Sequence, residues 1–201
     1  MTANTSRQLN HMLQASLNTK TVIEGDRVLL RSPRKKDSAE FISVNRRSAA
    51  FNRGLASPPT QTEEFQAFLK RSKQPDAACF LICRKDDDAI MGSIALSQIF
   101  RGGFLSAYLG YQIGAEFARQ GFMTEAIQLM LRHAFVDLKL HRLEANIQPG
   151  NVASIALVKR AGFVREGYSR RYLKICGRWR DHERWAILVE DWRKKSNQSA
   201  S

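Results

Sequence analysis

Acidic residues are scarce in this chain: 19 Asp and Glu face 32 Lys and Arg, giving a net charge of +13 and an isoelectric point near 10.2. Cysteine is scarcer still, and Cys79, Cys83 and Cys176 make no C-x-x-C pair. That number and spacing argue against a disulfide framework or a cysteine-bound metal. Cys79 and Cys83 fall in an apolar run and read as small core residues. The four histidines, at 11, 133, 141 and 182, show neither H-x-x-x-H nor H-E-x-x-H spacing, so no metal site is expected. G-x-S-x-G, Walker and G-x-G-x-x-G patterns are missing as well, which argues against hydrolase, nucleotidase and dinucleotide chemistry. No run approaches the ~18 apolar residues of a membrane helix, so no membrane partner is expected. Free cysteines without a pairing pattern fit a reducing, cytoplasmic setting.

What is present is an ordinary globular composition: 201 residues, 43% hydrophobic and 25% charged. That suits one domain with a full core. The expected organisation is an N-terminal extension over 1–20, a domain over 21–192 and a flexible basic tail over 193–201. Residues 27–32 read as a first strand and 34–47 as a helix. Thr60-Gln-Thr-Glu63 matches a capping box ahead of Phe65, Phe68 and Leu69. Residues 77–84 and 89–99, joined by Asp86-Asp87-Asp88, form a hairpin. A strand over 104–114 precedes a helix in which Ile127, Met130, Leu131, Ala134 and Leu138 recur on one face. A strand over 141–147, a helix over 151–161 opened by Asn151 and closed by Gly162, and strands over 163–175 and 179–189 follow. This order predicts an α/β domain with a mixed sheet, antiparallel early and parallel where a helix intervenes.

The segment between strand 104–114 and its helix, Ala118-Arg-Gln-Gly-Phe-Met-Thr124, carries the chemistry. A helix N-terminus presents unpaired N–H groups and partial positive charge, so such a loop can chelate a phosphate with main-chain donors. Gly121 allows close approach and Arg119 adds charge. The plainer alternative is that Gly121 only eases a turn while Thr124 or Glu125 caps the helix.

Strand, glycine loop, helix and strand, followed by a helix opened by Asn151-Val-Ala-Ser154 and a strand opened by Ala161-Gly-Phe163, resemble the GNAT family of acetyl-CoA-dependent N-acetyltransferases. Phe100-Arg-Gly-Gly-Phe104, Tyr108-Leu-Gly-Tyr-Gln-Ile-Gly114, His141-Arg142 and Gly177-Arg-Trp-Arg-Asp-His182 resemble the RimJ/RimL-like branch, which acetylates ribosomal-protein N-termini. The resemblance covers about residues 27–192. It implies a single α/β domain whose mixed, mostly antiparallel sheet splays between the two parallel strands flanking the loop helix. It further implies that the CoA pyrophosphate sits on Arg119, Gln120, Gly121, Phe122, Met123 and Thr124. The pantetheine arm would run between strands 108–114 and 141–147, and the acyl carbonyl would meet a main-chain N–H at a bulge near Gln112 or Ile113. Asn151 and Ser154 would meet the arm from the next helix. Two positions depart from the family pattern: Ala118 opens the loop in place of Gln or Arg, and Met123 closes it in place of Gly or Ala. The tyrosine that many relatives carry in the second helix is Val158 here.

For the proton route, Glu144, Asn146 and Tyr168 are the candidates. Glu144 and Asn146 share a strand face, although Glu144 could instead turn away to pair with an arginine. Asp181 and His182 match the branch motif and could equally be structural. An α-amino group, with a pKa of about 7.7–8.0, needs only a weak base, unlike lysine at about 10.4. The acceptor implied is the N-terminal alanine of a ribosomal protein, with Arg165, Arg170, Arg171, Lys174, Arg178 and Arg180 suited to ribosomal RNA. The alternatives are a small amine (an amino acid, polyamine or antibiotic), or an RNA- or ribosome-binding protein with a vestigial acetyl site.

Overall fold

A computed structural model describes residues 22–55 and 57–198. The expected 1–20 extension lies outside them. The first strand, β1 (Val22–Glu24), is too short to register as a pattern and pairs with β2 (Val28–Arg31). A tight turn over 35–37 leads into α1 (Ser38–Arg47), and a loop into α2 (Thr62–Arg71). The capping box sits one residue later than the sequence suggests. Gln61 is the N-cap, and the Glu64 carboxylate accepts from the N–H groups of Thr60 (2.7 Å) and Gln61 (3.1 Å). Those bonds hold the Glu64 carboxyl below the usual range.

Next come β3 (Ala77–Arg84), β4 (Ile90–Phe100) and β5 (Ser106–Ile113), then α3 (Phe122–Arg132), whose last turn widens to a π-turn over 133–137. The predicted stripe is buried throughout: Ile127, Met130, Leu131, Ala134 and Leu138 all face the core. β6 (Arg142–Ile147) and α4 (Val152–Ala161) follow, then β7 (Val164–Ile175), β8 (Arg178–Leu188) and α5 (Val189–Gln198). Asn151 caps α4 by accepting from Ser154 N–H at 3.1 Å, and Gly162 closes it at φ +105°, as expected. The segment beyond Trp192 departs from expectation by continuing as α5 through Gln198.

The eight strands form one sheet in the order β1-β2-β3-β4-β5-β6-β8-β7. Among the described residues, only β5 and β6 pair in parallel. α4 does not place β7 beside β6, because β8 inserts between them. Composition explains the choice: β8 brings buried Trp185, Ala186 and Ile187, whereas β7 is exposed and arginine-rich along its length and suits an edge.

α3 and α4 pack on one face of the sheet through Ile127, Met130, Leu131, Val158 and Ala161. α1 and α2 cover part of the other, where Phe41 meets Phe65 and Phe68 at ring distances of 5.7 and 5.5 Å above Leu81 and Cys83. Cys79 and Cys83 are core residues as expected. Burial pushes their thiols up to about 11 and about 12.

Beneath this cluster's edge, Arg31 and Asp37 are both 4% exposed and paired twice, at 2.8 and 3.1 Å; Asp37 also accepts from Arg34 N–H. Asp37→Ala removes two of the three carboxylate bonds to a buried guanidinium, leaving the Asp88 contact at 3.1 Å, and is expected to cost about 3–5 kcal/mol. At roughly 2–4 °C per kcal/mol for a chain this size, calorimetry is expected to show a melting temperature lower by about 6–20 °C. A loss under about 2 °C would contradict the pairing.

Candidate active site

β5 and β6 hold together for only three residue pairs, Ser106 with Arg142 through Tyr108 with Glu144. Beyond these they diverge, each still bonded on its outer side, β5 to β4 and β6 to β8. A cavity of about 420 Å³ lies at the divergence, between the end of β5, the start of α3 and the first turns of α4. Its walls include Gln112, Ile113, Arg119, Gly121, Met123, Thr124, Asn151 and Ser154, eight of the ten residues anticipated for the cofactor. The other two are placed differently. Gln120 turns its amide to the Glu116 carbonyl at 2.7 Å, and Phe122 sinks into the core with the Arg27 guanidinium 4.8 Å above its ring.

The loop geometry fits a bound diphosphate. Arg119 (φ +61°) and Gly121 (φ +87°) are left-handed while Gln120 between them is not. Such alternation turns successive N–H groups into one concavity. Gly121 is the N-cap of α3, and no side chain caps that terminus, so neither Thr124 nor Glu125 takes the role the plainer alternative gave them. Glu125 instead reaches back to β2, where its carboxylate accepts from the N–H groups of Arg27 (2.9 Å) and Val28 (3.0 Å). Arg27 in turn donates to the Gln120 carbonyl at 3.1 Å. These contacts hold the loop from outside and leave its main chain open to the cavity. Ala118 and Met123, the departures from the family pattern, both form wall, and space remains beside them.

The expected bulge at Gln112 is not seen. The β4–β5 register runs evenly from Leu96↔Leu109 to Gly92↔Ile113, and it is the parting from β6 that frees the β5 main chain. Gly92 lets the strands close up here, since a Cβ on it would lie 2.2 Å from the Gln112 carbonyl oxygen.

The three proton-route candidates do not line this cavity. Glu144 pairs with Arg142 at 2.9 Å, the turned-away alternative, and Arg142 also grips Glu166, holding the latter's carboxyl below its usual range. Asn146 shares the Glu144 face, as expected. Tyr168 is exposed and donates to Asp181 at 2.6 Å. Asp181 also accepts from Arg171 N–H, and His182 is buried against Tyr172, so both serve the hairpin.

A residue the motif concealed is Tyr111. Its hydroxyl meets that of Ser154 at 2.6 Å across the cavity, from β5 to α4. Burial pushes its phenol up to about 12. At such a value it would hydrogen-bond a leaving sulfur rather than protonate it, because a thiol titrates near 8.5. The alternation of β5, which puts Tyr111 on the face of α3 and α4, was the available signal.

Residues 27–164 match the acetyltransferase (GNAT) domain family. The ribosomal protein uS5-alanine N-acetyltransferase of Escherichia coli is 39% identical over 120 residues, 60% of this chain and 62% of that protein. RimJ of Mycobacterium smegmatis, solved with CoA-disulfide, superposes at a TM-score of 0.75 and 26% identity, over 85% of this chain and 86% of that one. The ribosomal-protein-S5-alanine acetyltransferase of Vibrio fischeri gives 0.75 and 25%, over 86% and 98%. The chain belongs to the GNAT acetyltransferase family, and it is an acetyl-CoA-dependent N-acetyltransferase. Acetyl-CoA supplies an activated acyl thioester. The groups that would hold it are the N–H concavity at Arg119–Gly121, toward its phosphates, and the free edge of β5, toward its arm, with Tyr111 and Ser154 beside it.

A side chain at position 121 would meet Arg27 Nη2 at 2.9 Å in a backbone conformation that costs L-residues about 1–2 kcal/mol. Gly121→Val is therefore expected to weaken acetyl-CoA binding about tenfold or more by calorimetry, and unaltered affinity would argue against phosphate capture by this loop.

Proposed function

We propose that this enzyme acetylates the N-terminal amine of a protein, specifically a ribosomal protein that begins with alanine. One observation carries the choice of amine. Among the described residues, the charged side chains that wall the cavity are Arg119 and Arg160, and no carboxylate or imidazole joins them. An α-amino group with a pKa of about 7.7–8.0 is already partly neutral at pH 7. A lysine or polyamine nitrogen costs about 3.5 kcal/mol more to deprotonate there. A polycation would also need acidic partners, and a chain of charge +13 repels it. Proximity and a polarised carbonyl carry the rate once a neutral amine is seated. Water suffices as the proton acceptor, which frees Glu144, Asn146 and Tyr168 from that task.

The ribosomal assignment draws support from the 39% identical relative and from the β7–β8 hairpin. Arg170, Arg171, Lys174 and Arg178 are all exposed there beside Trp179, a combination suited to ribosomal RNA next to the acceptor protein. The cytoplasm, with its reduced thiols and ribosomes, is the compartment this implies. No helix among the described residues is long and apolar enough to cross a membrane.

With acetyl-CoA and a peptide starting Ala-, thiol release is expected at a rate well above that with spermidine or an internal lysine; the reverse order would overturn the assignment. kcat/KM is expected to rise with pH through one ionisation at about 7.7–8.0, because a protonated amine cannot attack. It should then stay flat to about pH 10, since the Tyr111 phenol remains neutral until near 12. A descending limb below pH 9 would instead place a catalytic acid in the site. Arg170→Glu with Arg171→Glu is expected to lower the rate on intact ribosomal particles at least fivefold and leave the rate on the peptide unchanged. Equal losses on both would remove the RNA contact.

A further inference from the structure

The end of the sheet opposite the cofactor cavity carries two exposed rings on the β4–β5 turn. β5 starts there at Ser106 and reaches the cavity at Gln112 and Ile113, about 20 Å away at the usual strand rise. In β4, Ile94 and Leu96 face the core, but Gln98 is left-handed (φ +50°) and the register shifts between Ser97 and Phe100. That bulge reverses the alternation, so Ile99 takes the next core position and Phe100 turns outward. Phe104, across the turn, is 75% exposed, and its ring centroid lies 6.2 Å from that of Phe100. No atom comes within 4 Å of where a Cβ on Gly102 or Gly103 would stand, so the turn projects clear of the domain.

The turn is nevertheless held firmly. Leu105 is left-handed (φ +41°), a costly state for a bulky residue, and its carbonyl accepts from the N–H groups of His141 (2.7 Å) and Arg142 (3.2 Å). Arg101 donates to the Leu138 carbonyl at 2.8 Å. Through His141 the turn adjoins a second cavity, of about 440 Å³, within the ~300–1,000 Å³ range of ligand sites. Phe135, Val136 and Trp192 wall it together with Lys139, His141 and Arg193. Arg101, Arg132, Lys139 and Arg193 are exposed around it and outnumber Asp137 and Glu190. Both acids are already paired, Asp137 with His133 at 2.8 Å and Glu190 with His141 at 3.3 Å.

We propose that this end of the domain binds single-stranded RNA, with bases stacked on Phe100 and Phe104 and phosphates drawn to the cations of the second cavity. Every base has a π-face, so stacking on aromatic side chains needs no particular sequence, and neighbouring cations track the backbone. Duplex RNA keeps its bases in the stack and offers the rings little. A bilayer would meet the rings and leave the concave basic pocket unused. The surface is separate from the β7–β8 turn, because β6 and β8 pair from Arg142↔Leu188 at this end to Ile147↔Glu183 at the other, and that turn lies beyond the latter. It is also independent of which amine is acetylated.

The test follows a short fluorescein-labelled single-stranded RNA by anisotropy. The full chain carries Arg170→Glu and Arg171→Glu, which removes the hairpin's contribution. In that background the RNA is expected to bind, and a duplex of the same sequence to bind at least tenfold more weakly. Phe100→Ala with Phe104→Ala is expected to cost at least tenfold in RNA affinity and to leave acetyl-CoA binding unchanged by calorimetry. Lys139→Ala is expected to reduce the slope of log affinity against log salt by about 0.7, the share of one phosphate on a single strand. Should the double variant lose acetyl-CoA, Phe104→Ala alone decides: a loss of at least threefold is expected, and unchanged RNA affinity overturns the proposal. Equal affinity in the double variant, an unaltered salt slope, equal binding of the duplex, or no RNA binding in the hairpin background also overturns it. Displacement of the RNA by polyglutamate of equal charge would assign the surface to an acidic protein instead. Phosphatidylserine vesicles bound by the parent chain and lost in the double variant would assign it to a lipid surface.

Discussion

Backbone N–H and C=O groups inside a protein must find partners, and the parting of β5 from β6 after the Tyr108–Glu144 pair breaks that rule in mid-sheet. The fold tolerates the breach because each strand is fully bonded on its other side and because the gap opens on a cavity. The rest of the site is arranged around it. α3 starts at the gap and so points its uncapped end there. α4 faces it from across the cavity, with the Tyr111–Ser154 contact spanning the space between. A substrate arm that pairs like a strand would complete the sheet there.

The scarcity of acidic residues takes on meaning once their partners are known. Glu125 is held by β2 main chain, Glu144 and Glu166 by Arg142, Glu116 by Arg47, and Asp181 by Tyr168 and Arg171. Carboxylates near the site are thus committed to structure. Among the described residues, no carboxylate joins Arg119 and Arg160 on the cavity wall, which favours an anionic ligand there.

Much of this was legible in the order of residues. The α3 stripe, the Asn151 and Gly162 caps and the glycine loop each carry a local signal, because helix faces, caps and left-handed turns are fixed by neighbours a few positions away. Of the eight anticipated residues that wall the cavity, Arg119, Gly121, Met123 and Thr124 lie in the loop and the start of α3, and Asn151 is a cap. What escaped depends on long-range pairing. β8 displaces β7 from β6 through a competition for burial that neither strand reveals alone. Glu144 finds Arg142 two positions off, and Arg142 also bonds Glu166 across the sheet. Phe122 sits inside the loop motif yet belongs to the core, since the turn into α3 carries its side chain inward. Tyr111 lay within a recognised motif, but its role needed α4 beside it.

The loop at Arg119–Gly121 is also held from far away in sequence. Its bracing runs from Arg27 and Val28 to Gln120 and Glu125, over a separation of 93 to 98 residues. Contacts of that span form late, after the intervening chain has closed its loops. The two left-handed residues therefore gain their support only when β2 has docked beside α3. A chain in which β2 has not docked lacks these braces, so anion capture by the loop would report that β2 and α3 have come together.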